Sequence, residues 1–138
     1  MPVRNPFEYA IIRVVPRIER GECMNVGVVL FCRTRRFLDA LIELDLKRLA
    51  AFAPGIDLPP LQEQLDHIPL ICKGGKPAGP IGILPQQERF RWLVAPRSTI
   101  IQPSAVHCGM CDDPAWTLEN LLRTMVRQTS GDNERRSG

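Results

Sequence analysis

Residues 25–33 read NVGVVLFCR, apolar at almost every position, and this run decides the fold. A strand with one wet face alternates apolar and polar residues, whereas an unbroken apolar run fits a strand covered on both faces. The segment is therefore a central strand. Working outward toward the N-terminus, residues 7–15 (FEYAIIRVV) are dense in β-branched and aromatic side chains until Pro16, which cannot donate to a ladder. The charged link between these two strands holds Gly21 at a turn. Toward the C-terminus, Thr34-Arg35-Arg36 is short and polar, so residues 37–44 return antiparallel. There Leu38, Ala40, Ile42 and Leu44 alternate with Asp39 and Glu43, which turns one face of this third strand to water.

Beyond this meander the pattern turns helical. Asp45 caps residues 46–52, where Leu46, Leu49 and Ala50 share a side, and Pro54-Gly55 closes the helix. Asp57 precedes a second helix over 58–72, in which Leu58, Leu61, Leu65, Ile68 and Cys72 recur at steps of three and four; Pro59 and Pro60 are tolerated in its first turn and Pro69 kinks its end. Residues 74–82 (GGKPAGPIG) read as a plain connector and lack the spacing of a phosphate loop. Residues 90–94 and 98–102 read as short strands flanked by Pro96 and Pro103, with one more strand at Val106. A third helix over 114–127 starts at Asp113-Pro114, and Leu118, Leu121, Leu122, Met125 and Val126 form its apolar stripe. The tail from 128 to 138 has no apolar residue to bury and is expected to be disordered.

The whole chain, 138 residues with 44% hydrophobic side chains, suits one domain over residues 1–127. No apolar run approaches the ~18 residues of a membrane span, and residues 1–9 lack the apolar core of a secretion signal, so a cytoplasmic location is expected. Five cysteines are then expected to stay reduced. Lys and Arg total 18 against 15 Asp and Glu, a net +3 that is too small to mark a nucleic-acid binder. Arg13, Arg17 and Arg20 fall at one end of the first hairpin and Arg33, Arg35 and Arg36 at the other, so they build no single basic stripe.

Three sets of residues resemble a known family in order and spacing: Arg20-Gly21-Glu22 with Asn25 through Phe31; Ala95 through Thr99 with Gln102-Pro103-Ser104; and His107 followed by Asp112-Asp113-Pro114. On these the chain resembles the bacterial domain of unknown function 3037 family over about residues 7 to 127. The resemblance implies a small stand-alone bacterial protein with no assigned activity. It also implies a partner role, beside kinases resembling the toxin HipA. Members of the family carry Thr where Cys108 and Cys111 stand, which counts against a metal site common to all of them.

Two constellations carry chemistry. His107-Cys108-Gly109-Met110-Cys111 has the spacing for two thiolates on one zinc ion, with His107 or Cys72 as further ligands. The second pair of ligands that a four-coordinate site needs is missing, so no cofactor is predicted and zinc at His107, Cys108 and Cys111 stays the alternative. The other constellation is polar: Glu22 and Asn25 at the entry to the second strand, and Arg97, Ser98 and His107 around the late strands. If these segments neighbour one another, a guanidinium for an anion and an imidazole beside a carboxylate would converge. Otherwise Asn25 and Ser98 serve turns, and Glu22 pairs with Arg97 or with Arg20.

The reading is an α+β domain: an antiparallel sheet of four or five strands that starts with a three-strand meander, covered on one face by about three helices. The function expected is that of a non-enzymatic accessory or regulatory protein that binds another protein, with no membrane partner. The alternatives are an enzyme or anion-binding protein using Glu22, Asn25, Arg97, Ser98 and His107, and a nucleic-acid binder.

Overall fold

The computed structural model describes residues 4–97 and 99–127. Ser98 and the tail read as disordered both lie outside the described residues. The strands are β1 (Asn5–Val14), β2 (Met24–Cys32), β3 (Phe37–Ile42), β4 (Ile101–Pro103) and β5 (His107–Cys111). They form one antiparallel sheet in the order β3-β2-β1-β4, with β5 beside β1 as well. The helices are α1 (Leu46–Phe52), α2 (Leu58–Lys73), α3 (Gln86–Val94) and α4 (Pro114–Leu121), with shorter turns of 3-10 helix at Ile18–Arg20 and Lys76–Ile83.

The meander is as the sequence predicts, and β2 is buried from Val26 to Cys32. Its pairing with β1 contains a bulge between Ile12 and Arg13, where Gly27 faces Ile12 and Asn25 faces Arg13. The extra residue, Val26, flips the alternation: Met24 and Val26 lie with Val29 and Phe31 on one face, and Val28, Leu30 and Cys32 on the other. Gly27 is needed for space. A Cβ there would stand 2.7 Å from Ile42 Cδ1 and 2.8 Å from the Leu41 carbonyl oxygen. The turn into β3 places Arg36 at φ 50, a left-handed conformation, and closes with a bond from its amide to the Arg33 carbonyl.

The helices divide between both faces, which corrects the expectation of a single covered face and explains why β2 has no polar side. Helices α1, α2 and α3 bury Leu49, Leu65, Ile71 and Phe90 against Ala10, Val14, Val29 and Phe31. Helix α4 brings Leu118 and Leu121, and the π turn at Leu122–Val126 that extends it, against Ile11, Val28 and Leu30 on the opposite face. Asp45 and Asp113 cap α1 and α4 by accepting backbone amides, as their positions foretold. Asp57 occupies the cap of α2 without such a bond, and the helix runs on through Pro69 to Lys73.

Residues 90–94 are the clearest correction: they belong to α3, not to a strand. Phe90, Trp92 and Val94 mimic a two-residue period, but Gln86-Gln87-Glu88 ahead of them are good helix formers and the buried pair is Phe90 and Leu93, one helical turn apart. Phe90 stacks on Phe31 of the sheet at 5.2 Å between ring centres. Arg89 donates to the carbonyls of Ile71, Cys72 and Leu84, satisfying the exposed end of α2. The stretch read as a connector is wound into 3-10 turns. Gly74 and Gly75 enter them at positive φ, and the Gly75 amide bonds the Gly82 carbonyl at 2.8 Å.

Strands β4 and β5 are two halves of one interrupted strand, both antiparallel to β1. At the break, buried Ser104 keeps the sheet continuous: its amide donates to the Ile11 carbonyl and its hydroxyl accepts the Ile11 amide, each at 2.8 Å.

Candidate functional site

The polar residues singled out from sequence take up separate places. Glu22 is exposed and paired with Arg20 at 2.6 Å, in a hollow of about 560 Å³ between the end of β1 and the turn joining α1 to α2. Arg97 lines a different hollow. It lies over the Trp92 ring at 4.3 Å and donates to the carbonyls of Trp92 and Leu93, where a cation suits the negative end of α3. Burial draws its pKa below the usual guanidinium range. Asn25 donates to the Met125 carbonyl at 2.9 Å and so ties the turn after α4 to β2. His107 is exposed, with its ring 5.3 Å from that of Tyr9.

The strand register sets these positions apart. Asn25 is opposite Arg13 on one flank of β1, and His107 is opposite Tyr9 on the other flank. Four residues of strand separate the two levels, about 13 Å at ~3.3 Å per residue, before two strand spacings are added. Of the five candidates, each of the four described residues has its own partner.

The cysteine pair meets strand geometry. Positions three apart in a strand face opposite ways. Cys108 is exposed, while Cys111 is buried with Leu118 and Cys32. Burial first, and then the neighbouring Cys32, raises the Cys111 thiol above its ordinary pKa. Cys72 faces the core from the last turn of α2, where burial pushes its thiol up to about 12. Among the described residues no group of three or more His, Cys, Asp and Glu side chains is placed to hold a metal ion. No helix of the described residues is long and apolar enough to cross a membrane.

A feature the sequence reading missed lies on the outer side of α4. Trp116 is 63% exposed and Met110, near the end of β5, is 51% exposed. Both line a hollow of about 450 Å³ with Arg4, Asp112 and Thr117. On its other side Trp116 borders a second hollow of about 270 Å³ with Asn120, Arg123 and Arg127. Arg4 is held by Asp112 at 3.5 Å and by the Met110 carbonyl at 3.1 Å, and Arg127 is held by Glu43 through two bonds of 2.7 Å. The signal was available in the helical period: Trp116 falls outside the stripe of Leu118, Leu121, Leu122 and Val126 that α4 and its extension bury. Met125, placed in that stripe from sequence, is exposed too.

No curated protein and no solved structure matches the chain. A family model described as Protein of unknown function (DUF3037) matches residues 9–126. With that match covering most of its length, from the middle of β1 to the end of the π turn, the chain belongs to the DUF3037 family.

Proposed function

We propose that this protein is a non-enzymatic accessory protein that binds another protein through the face formed by Trp116 and Met110. The observation that carries the reading is the exposure of Trp116 between two hollows. An indole is costly to leave in water, and Trp, Met and Arg are the residue types enriched where protein interfaces carry their binding energy. The surrounding arginines Arg4 and Arg127 are already oriented by carboxylates, which lowers the entropy lost when they meet a partner. A shared catalytic centre built from Glu22, Asn25, Arg97 and His107 has less support, because each is engaged elsewhere.

Within this reading the partner is a kinase resembling the toxin HipA, as the family resemblance implies, and the accessory protein restrains or positions it. The test is size-exclusion chromatography of the protein mixed with such a kinase from the same host. The expected result is co-elution of the two, with Trp116→Ala weakening the complex by about 30-fold, the scale of a ~2 kcal/mol interface anchor. Separate elution would remove the kinase as partner. A complex indifferent to both Trp116→Ala and Met110→Ala would remove the face.

A further inference from the structure

The hollow lined by Arg97, of about 410 Å³, opens between α2, the end of α3 and β4, on the opposite side of the sheet from Trp116. That size falls within the ~300–1,000 Å³ range of small-molecule sites. Ile68, Ile71 and Ile101 supply apolar lining, and Ile71 and Ile101 belong to the buried core, so this part of the hollow is fixed by the fold. Trp92, 40% exposed, and Arg97 stacked on it supply the polar end.

Arg97 differs from the ion-paired arginines elsewhere among the described residues. Arg4, Arg20 and Arg127 each have a carboxylate within 4 Å, and among the described residues Arg97 has none. Two of its donor atoms reach the carbonyls of Trp92 and Leu93. A guanidinium carries about five N–H donors in a planar fork, so donors remain for a ligand. The stacking on Trp92 holds that fork in place before anything binds. The lining also includes His67 and Glu63, and the Glu63 charge opposes any anion, a dianion more strongly than a monoanion.

We infer that this hollow binds a small monoanion with an apolar body, an aryl or branched-chain carboxylate. Its carboxylate pairs with Arg97, and its apolar part covers Ile68 and Ile101. One cation meets one negative charge, and the apolar lining accepts the rest of the molecule. The site is independent of the Trp116 face and stands or falls without it.

The chain has two tryptophans, so Trp116→Phe in the full-length protein leaves Trp92 as the sole indole reporter. Titration of this variant with 3-phenylpropionate and with 4-methylpentanoate is expected to change Trp92 emission saturably, with a midpoint at or below about 1 mM. The uncharged 3-phenylpropionamide is expected to bind at least ~10-fold more weakly, because it loses the charge-assisted pair. Arg97→Gln is expected to abolish the change while circular dichroism shows an intact fold. Should that variant unfold, Ile68→Glu, which blocks the apolar part without touching Arg97, is expected to abolish it instead. The inference is overturned by the absence of a saturable change up to about 10 mM, by equal binding of acid and amide, by tighter binding of inorganic phosphate or ATP than of the carboxylates, or by binding that persists in both variants.

Discussion

The two faces of the sheet are covered by different numbers of helices. One carries α1, α2 and α3, and beneath them Leu65 and Ile71 are completely enclosed against Val14, Val26 and Val29. The other carries α4 and its π turn alone, which enclose Val28, Leu30 and Leu118 but leave Tyr9, Phe37 and Leu41 half-buried. The thin face is also where Trp116, Met110 and Met125 reach solvent. Helix α4 thus has two unlike sides: its inner stripe completes the core, and its outer side leaves Trp116 in solvent, where the proposed partner would bind.

The largest effect should come from breaking the thin face at its centre. Val28 is fully enclosed there, so Val28→Asp buries a charge with no partner and is expected to cost several kcal/mol in equilibrium denaturation. A loss below about 0.5 kcal/mol, the scale of ordinary surface changes, would show that α4 does not seal this side.

A smaller effect is expected at the joint between the strands. Gly27→Ala forces a methyl group to within 2.7 Å of Ile42 Cδ1 and 2.8 Å of a backbone oxygen that cannot rotate away. Overpacking of this kind costs about 1–3 kcal/mol, read as a lowered melting temperature. An unchanged melt would mean that the edge strand β3 yields freely.

The contact of Arg127 with Glu43 ties the end of the α4 segment to the residue just past β3. The hydrogen bonds from Arg127 hold the Glu43 carboxyl below its usual range. A carboxyl whose folded pKa is depressed stabilises the fold above its unfolded pKa and loses that contribution as pH falls through the folded value. Wild type should therefore melt slightly above Glu43→Gln at neutral pH, and the gap should close as the pH falls through the lowered folded value. The gap should also shrink in high salt, because both groups are substantially exposed. A gap that widens in acid would contradict the assignment.

Much of the fold was legible because the decisive residues act locally. The apolar run of β2, the polar turn at Thr34 through Arg36 and the aspartate caps of α1 and α4 each specify their own geometry. Helix α3 was hidden because Phe90, Trp92 and Val94 alternate like a strand, and only the contact of Phe90 with Phe31, 59 positions away, settles the period. The placement of α4 on the second face was implied by β2 itself, since a strand with no polar side needs cover from both. The candidate cluster was less legible. Whether Glu22 meets Arg97 depends on which strand flanks β1 at which level, and that register is set by the bulge at Ile12–Arg13 and by the break at Ser104, neither of which has a sequence signature. Trp116 was visible in the period of α4 but reads as unimportant until the structure shows that nothing in the described chain covers it.

If Trp116 serves the proposed interface and not the core, equilibrium denaturation of Trp116→Ala in the isolated protein should show it. The expected change is within about 0.5 kcal/mol of wild type, as for a surface side chain with spare contacts. A loss of about 3–5 kcal/mol, the scale of truncating a buried tryptophan, would contradict it and make the outer side of α4 part of the fold's own stability.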